Sequence, residues 1–452
     1  MNYTEQINEI SNYFRQNEKK HNNVKIGVEF EYFIIDKNTL KTISYYGKNG
    51  VHDTLKKLTL KGYKGSYEGE HILGLIKDYI CVTLEPGCQF EISIGPLPEI
   101  KEIEAQYLSF LDDLIPLLEQ NNQALIACGY QPQSTISDIK MIPKKRYDYM
   151  FEYFKSCGSL AHNMMKGTAS VQYSFDYESE KDYIKKFKVS NALSPVLYAI
   201  FDNSPIFEGE VYQKHSLRTN IWSNCDLDRC GIVDGALSAE FNYDSYSQYI
   251  LTRSPIFIPK GDIIQDVKDS TYRDLFNPNQ YNTEDLEHIL TMSFPDVRTK
   301  KFIEIRMIDS LPYPLNFSAL ALLKGIIYNK TNLNKVYDFI QGITTDAITD
   351  AKQEIIDHGI HTRYHGKPII EIANWLLKLA LDGLESDEVG YLMPLQDILM
   401  QCKTPSTITK ERLQMGMNKI DALSFCIVTN TNQTRGERNE CRTNNRRVCQ
   451  CH

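Results

Sequence analysis

The chain has 452 residues, of which 58 are acidic and 50 basic, for a formal net charge of −8; 42% are hydrophobic and 24% charged. That composition belongs to a globular protein with ample core material and excludes a mostly disordered or collagen-like chain. Net negative charge without a broad basic stretch argues against nucleic acid as the main partner.

The opening MNYTEQINEISNYFRQNEKK is polar and mixed in charge, unlike a secretory signal. Residues 4–19 read as a helix with Thr4 at its start and Ile7, Ile10 and Phe14 on one face. Residues 24–35, VKIGVEFEYFII, alternate as a strand. Ile26, Val28, Phe30 and Tyr32 point one way; Glu29 and Glu31 point the other.

A second strand region spans 81–93, with Pro86-Gly87 marking a turn inside it. Residues 99–127 read as a long helix or helix pair with Pro116 as a break, and 144–155 as another helix. Residues 168–177, TASVQYSFDY, alternate again, placing Ser170 and Gln172 on a polar face. A helix over 178–202, interrupted near Pro195, follows, and 300–309 alternates with Glu304 and Arg306 on one face. The apolar run 318–328 is broken by Lys324 and too short to span a bilayer. Strands and helices do not form a regular β-α-β-α series, so an α+β layout with a largely antiparallel sheet is expected. We find no linker and expect one domain over 1–423. The Asn-, Arg- and Cys-rich segment 424–452 is expected to be an unpacked tail. Cys441, Cys449, Cys451 and His452 imitate a metal knuckle there, but their spacing matches no zinc pattern. Eleven cysteines, mostly single within patterned segments, suit reduced thiols and a cytoplasmic protein.

The chemistry-bearing residues are mostly carboxylates. Glu29 and Glu31 lie roughly 7 Å apart on one strand face. Either water solvates them or a hard cation such as Mg²⁺, which prefers oxygen ligands, sits between. Glu85 and Glu91 flank the Pro86-Gly87 turn; if the two strand regions pair, four carboxylates gather on one surface and require offsetting positive charge. Glu304 and Arg306 suit either a cross-strand ion pair or recognition of carboxylate or phosphate by the guanidinium fork. Arg218, Trp222, Asp226 and Arg229 form a looser polar set, and His162 stands alone beside Met164-Met165 as a packing residue. No P-loop, dinucleotide fingerprint, zinc-protease motif or nucleophile elbow is present.

Taken in order, GVEFEYF (27–33), LEPGCQFEIS (84–93), the stretch 141–177, NALSPVLYAIFDNSPIFEG (191–209), LRTNIWSNCDLDRCG (217–231) and FPDVRTKKFIEIRMIDSLP (294–312) resemble the plant-type glutamate–cysteine ligase family. The resemblance implies a glutamine synthetase-like catalytic fold, in which a curved antiparallel sheet forms a funnel with helices on its outer side. It implies ATP-dependent joining of L-glutamate to L-cysteine through a γ-glutamyl phosphate, the first step of glutathione synthesis. It also implies Mg²⁺, or Mn²⁺ in its place, on Glu29, Glu31, Glu85, Glu91 and Glu304. Arg218, Arg306, Ser170, Gln172 and Trp222 are implied substrate contacts, with Arg306 and Glu304 acting in catalysis. Small-molecule substrates, no nucleic acid, no membrane, and a monomer or homodimer complete the expectation. The alternatives are a related ligase using a different amine, and a non-catalytic metal- or nucleotide-binding protein; the clustered carboxylates speak against the latter.

Overall fold

The alternating stretch near the N-terminus becomes the central strand of a sheet. In the computed structural model, which describes residues 2–20, 23–260, 263–265 and 270–429, strand β1 covers Ile26–Asp36. The other strands of this sheet are β2 (Lys64–Glu68), β3 (His71–Lys77), β4 (Ile80–Leu84), β5 (Phe90–Leu97), β6 (Gln123–Ile126), β7 (Ser170–Phe175), β8 (Val297–Thr299), β9 (Ile303–Asp309) and β10 (Ile427–Val428). Their order is β8-β9-β7-β1-β5-β4-β3-β2, and β6, with β10 beside it, joins the C-terminal end of β1. Every pairing in it is antiparallel. β1 changes partner along its length: residues up to Tyr32 pair with β5 and β7, and Phe33–Asp36 pair with β6. The expected α+β layout holds.

One face of the sheet is the core. Val28, Phe30 and Tyr32 of β1 are buried there beside Phe90, Ile92 and Ile94 of β5 and Val171 and Tyr173 of β7. Helices Ile100–Glu119 and Leu315–Ile327 cover it. The Phe30 ring packs 5.2 Å from Tyr107 and 5.6 Å from Phe317, and the Tyr32 and Tyr107 hydroxyls share a 2.8 Å hydrogen bond. Burying each such side chain contributes about 1.5–3 kcal/mol. The opposite face carries the glutamates.

Residues 81–93 have the turn expected at Pro86-Gly87 and form a hairpin, β4 and β5 joined by Glu85–Gln89. Several boundaries differ from the expectation. The stretch 99–127 is one helix followed by β6, whose four buried residues offer no alternation to read. Pro116 sits inside that helix without ending it, because the Asp112 carbonyl it cannot bond lies on the exposed side. The expected 178–202 helix is two, Glu180–Ala192 and Ser194–Ile200, with Pro195 in the first turn of the second. Packed structure runs past residue 423, since Ile427 and Val428 pair with Ile126 and Leu125. The remainder of the expected tail, with Cys441, Cys449, Cys451 and His452, lies outside the described residues. Among the described residues no helix is long and apolar enough to cross a membrane, and all cysteines are free thiols.

Candidate active site

The register of the sheet brings the motifs together. On the face opposite the core, Glu31 of β1 stands across from Glu91 of β5, and Glu29 across from Ser93. On the other side Glu29 pairs with Gln172 of β7. Glu85 enters from the hairpin, where its backbone N–H bonds the Gln89 carbonyl at 3.0 Å. The turn packs tightly on helix Ala161–Gly167: a Cβ at Gly87 would lie 2.2 Å from the Lys166 carbonyl oxygen, so only glycine fits. Gln89 locks the same contact by donating to the Met165 and Thr168 carbonyls at 3.2 and 3.0 Å.

Glu29, Glu31, Glu85 and Glu91 are half-buried on the floor of this face. Glu31 accepts from the Ser170 backbone N–H at 2.7 Å, the Ser170 hydroxyl at 3.1 Å and the Gln172 amide at 2.8 Å. Glu91 accepts from the Thr83 and Ser93 hydroxyls, each at 2.9 Å. These donors are neutral and leave the charges unbalanced. Burial, then the charge of Glu85, push the Glu31 carboxyl up to about 7 against the pull of Arg218. Burial and the charges of Glu29, Glu85 and Glu31 push Glu91 well above the usual carboxylate range. Glu29 is raised by burial and by Glu304, less the pull of Lys300, Arg298 and Arg306.

The β8–β9 side of the same face is balanced. Glu304 is fully buried. Its Oε2 meets Arg298 Nε at 2.7 Å and Arg306 Nη1 at 2.9 Å; its Oε1 meets Lys300 Nζ at 2.8 Å. Burial alone would raise its pKa, but Arg298, Lys300 and Arg306 hold it well below the usual range. Arg306 also donates to the Gln172 side-chain oxygen, so Gln172 links the guanidinium to Glu31. Arg306 sits in a β-bulge: β9 is in register with β7 at Ile305–Tyr173 and again at Ile308–Val171, with one residue too many between. The carbonyls this bulge turns aside accept from Arg218, Met307 O at 3.0 Å and Arg306 O at 3.1 Å.

Two cavities open onto the face. One of about 540 Å³ runs past Glu29 between Lys25, Lys301, Tyr79 and Phe302. The other, about 110 Å³, lies beside Glu31 and Glu85 and is walled by Gln172, Arg218, Trp222 and Arg306. Met150, Phe154, Met164 and Met165 give it an apolar side. The two carboxylates of E-x-E therefore serve different chambers. Arg218 Nε and Trp222 Nε1 are buried without a hydrogen-bond partner. Among the described residues no group of three or more His, Cys, Asp or Glu side chains is set to hold one metal ion.

Glu29, Glu31, Glu85, Glu91, Glu304, Ser170, Gln172, Arg218, Trp222 and Arg306 thus all fall on or beside one sheet face. Asp226 and Arg229 do not join them; they form a buried 2.8 Å ion pair. His162 stacks on Phe151 at 4.2 Å as a packing residue. Sequence reasoning missed Arg298, Lys300 and the basic pair Lys144 and Arg146, on both of which Glu85 and Glu91 act electrostatically. The run Lys144-Lys145-Arg146 beside a matching motif was the available signal.

The sequence matches the model of Glutamate-cysteine ligase family 2 over residues 25–425. It is 30% identical over 393 residues to a chloroplastic glutamate–cysteine ligase of Nicotiana tabacum, covering 84% of this chain and 75% of that one. It is 30% identical over 399 residues to chloroplastic glutamate–cysteine ligase B of Oryza sativa subsp. japonica, covering 86% and 80%. The fold resembles the crystal structure of a glutamate–cysteine ligase from Francisella tularensis in complex with AMP, with TM-score 0.55 at 12% identity over 90% of this chain and 88% of that one. The cytoplasmic location expected from the N-terminus and the thiols is corrected by these relatives, which are chloroplastic proteins. Free thiols say only that a compartment is reducing, and do not separate one reducing compartment from another.

Proposed function

The chain belongs to Glutamate-cysteine ligase family 2, and from that premise we propose that it joins the γ-carboxylate of glutamate to the amine of cysteine, converting ATP to ADP and phosphate. The observation that carries this reading is the polar sheet face: Glu31 and Glu85 line one cavity with Arg306, Gln172 and Arg218, Glu91 stands across from Glu31, and Glu29 borders the larger cavity alongside. Three of those carboxyls are held above their ordinary range by burial and by neighbouring carboxylates, Glu304 for Glu29 and members of the set for Glu31 and Glu91, so the set takes up positive charge readily. An all-oxygen donor set suits Mg²⁺, or Mn²⁺, rather than a thiophilic metal. When bound, such an ion offsets the charge of the triphosphate and of the phosphoryl group in flight. Glu304 stands apart, because both its oxygens already hold cations; acting as a ligand requires it to release Lys300.

The chemistry needs no enzyme nucleophile. A carboxylate resists amines because oxide is a poor leaving group. Attack of the γ-carboxylate on the γ-phosphorus of ATP gives an acyl phosphate and releases ADP. The cysteine amine then attacks the acyl carbon and phosphate departs. Arg306, anchored by Glu304 and Gln172, presents a planar guanidinium to the phosphoryl oxygens as charge builds there. Ser170 and Gln172 orient Glu31. Arg218 Nε and Trp222 Nε1 are donors without partners, suited to a substrate carboxylate in the smaller cavity. The larger cavity, on the Glu29 side, takes the nucleotide. Methionine and phenylalanine walls in the smaller cavity suit a thiol-bearing acceptor over a charged one. We take the packed chain as one catalytic unit, monomer or homodimer.

The test is ADP release by the full chain with ATP, Mg²⁺ and glutamate across a panel of amines. Cysteine should exceed every other acceptor. Equal release with another amine replaces cysteine as the substrate and leaves the ligase chemistry standing; no glutamate-dependent ADP with any amine removes the reading altogether.

A further inference from the structure

Behind the site lies a buried charge cluster that the reaction does not use. Asp296, Lys352 and Tyr198 are 5%, 8% and 4% exposed. Lys352 Nζ lies 2.9 Å from Asp296 Oδ2, and the Tyr198 hydroxyl donates to Asp296 Oδ1 at 2.9 Å. The Lys352 ammonium also stands 5.0 Å from the centre of the Tyr198 ring. Three separate elements meet here. Lys352 comes from helix Thr345–His358, Tyr198 from helix Ser194–Ile200, and Asp296 from the residue just before β8.

Asp296 is also bonded through its backbone. Its N–H donates to the Gly231 carbonyl at 2.8 Å, and its carbonyl accepts the Arg306 N–H at 3.0 Å. That last bond carries the β8–β9 register one step past Val297–Ile305, so it holds Arg306 from the β8 side just where β9 bulges away from β7. The bulge backbone is thus held from two sides. Arg218 takes its carbonyls and Asp296 takes its N–H. A bulge re-aims the side chain it carries, and its hold on the backbone decides where that side chain points.

We propose that Asp296, fixed by Lys352 and Tyr198, is a positioning residue for Arg306: it pins the bulge that directs the guanidinium onto Gln172 and Glu304. The consequence for turnover rests on the ligase reading; the consequence for Arg306 does not. Helix Thr345–His358 thereby acts on the reacting centre through one ion pair, without reaching it.

The test uses the full chain with Lys352→Met, Lys352→Arg and Arg306→Lys, singly and combined. Lys352→Met should lower kcat about tenfold while each KM stays within about twofold, because an interaction made in the transition state is loosened and ground-state binding is not. Lys352→Arg should restore most of the loss. In an Arg306→Lys background, Lys352→Met should cost almost nothing further, since the group it positions is gone. Independent effects in the two backgrounds, or unchanged kcat in a folded Lys352→Met protein, overturn the proposal. If Lys352→Met fails to fold, Tyr198→Phe strands no charge and should show the same split of kcat against KM with a smaller loss; an unchanged kcat there overturns it equally. The side-chain Nε–H resonance of Arg306, identified by its disappearance in Arg306→Lys, reads the positioning without turnover. It should shift and broaden in Lys352→Met whether or not cysteine is the acceptor. A resonance that does not move refutes the positioning while leaving the ligase reading untouched.

Discussion

The two halves of the polar sheet face carry the same residue type under opposite conditions. On the β1–β5 side, Glu31 and Glu91 accept hydrogen bonds from neutral donors, and cations such as Arg218, Lys144 and Arg146 act on the carboxylates there only from further off. On the β8–β9 side, one glutamate is met by three cations. Both arrangements hide charge from water, and both are costly unless compensated. The balanced half has its compensation built in and acts as a rigid abutment for Arg306. In the acidic half Arg218, Lys144 and Arg146 offset the charge only in part, and the carboxyls of Glu29, Glu31 and Glu91 stay raised. Clustered carboxylates by themselves do not suggest a cation site; clustered carboxylates whose charge is left partly unpaired do.

Replacing one carboxylate by its amide should break this contrast in opposite directions. The largest effect is expected at Glu304. Glu304→Gln strands Arg298, Lys300 and Arg306 in the interior, and loss of one partner of a buried charged set costs about 3–5 kcal/mol. Denaturant unfolding should show that loss, and parent-like stability would mean that Glu304 is not the keystone of its half. Next is Glu31→Gln. Loss of a charge from the floor should reduce ligation by about 10²–10³-fold, as for removal of a transition-state electrostatic contact. Its stability should hold or rise, because a repelling charge is gone. Unchanged ADP release in Glu31→Gln would remove the floor from the mechanism.

The smallest effect sharpens the contrast through pH. The Glu31 carboxyl is raised from 4.5 to about 7 in the folded protein. Between those values the folded state holds a proton that the unfolded chain has lost. Stability from this group is therefore present at low pH and is lost as pH rises through about 7. Without divalent cations the melting temperature should fall across that window, and Mg²⁺ should restore it most at the alkaline end, where the carboxylates are ionised. A melting temperature indifferent to Mg²⁺ at every pH would mean that the floor holds no such ion.

Much of this was legible because the alternation is clean where function sits. The period of two in β1 placed Glu29 and Glu31 on the face away from Phe30 and Tyr32; that its strand pairs with the one carrying Glu91 was left open by the pattern and is seen in the register. Other parts were hidden for identifiable reasons. Gly65 and Gly74 interrupt the alternation of β2 and β3, so that flank of the sheet was not read at all. β6 is buried at every position and has no period. The partners of Glu304 depend on a hairpin that sets Arg298 opposite it, and the aim of Arg306 depends on one extra residue in β9. Lys352 meets Asp296 across 56 residues of chain, a distance over which local pattern carries no information. Location failed for a different reason, since compartment leaves no mark on packing.

The E-x-E spacing on an unbroken strand works as a ruler. Glu29 borders one chamber and Glu31 the other, and the strand repeat between them is roughly 7 Å whatever the loops do. Under the proposed placement of nucleotide and glutamate in these two chambers, the separation of phosphoryl donor from acceptor is a property of the peptide backbone rather than of any side chain. Adding or deleting a single residue within β1 would turn one of the two carboxylates toward Phe30 and Tyr107, and no neighbouring substitution could put it back.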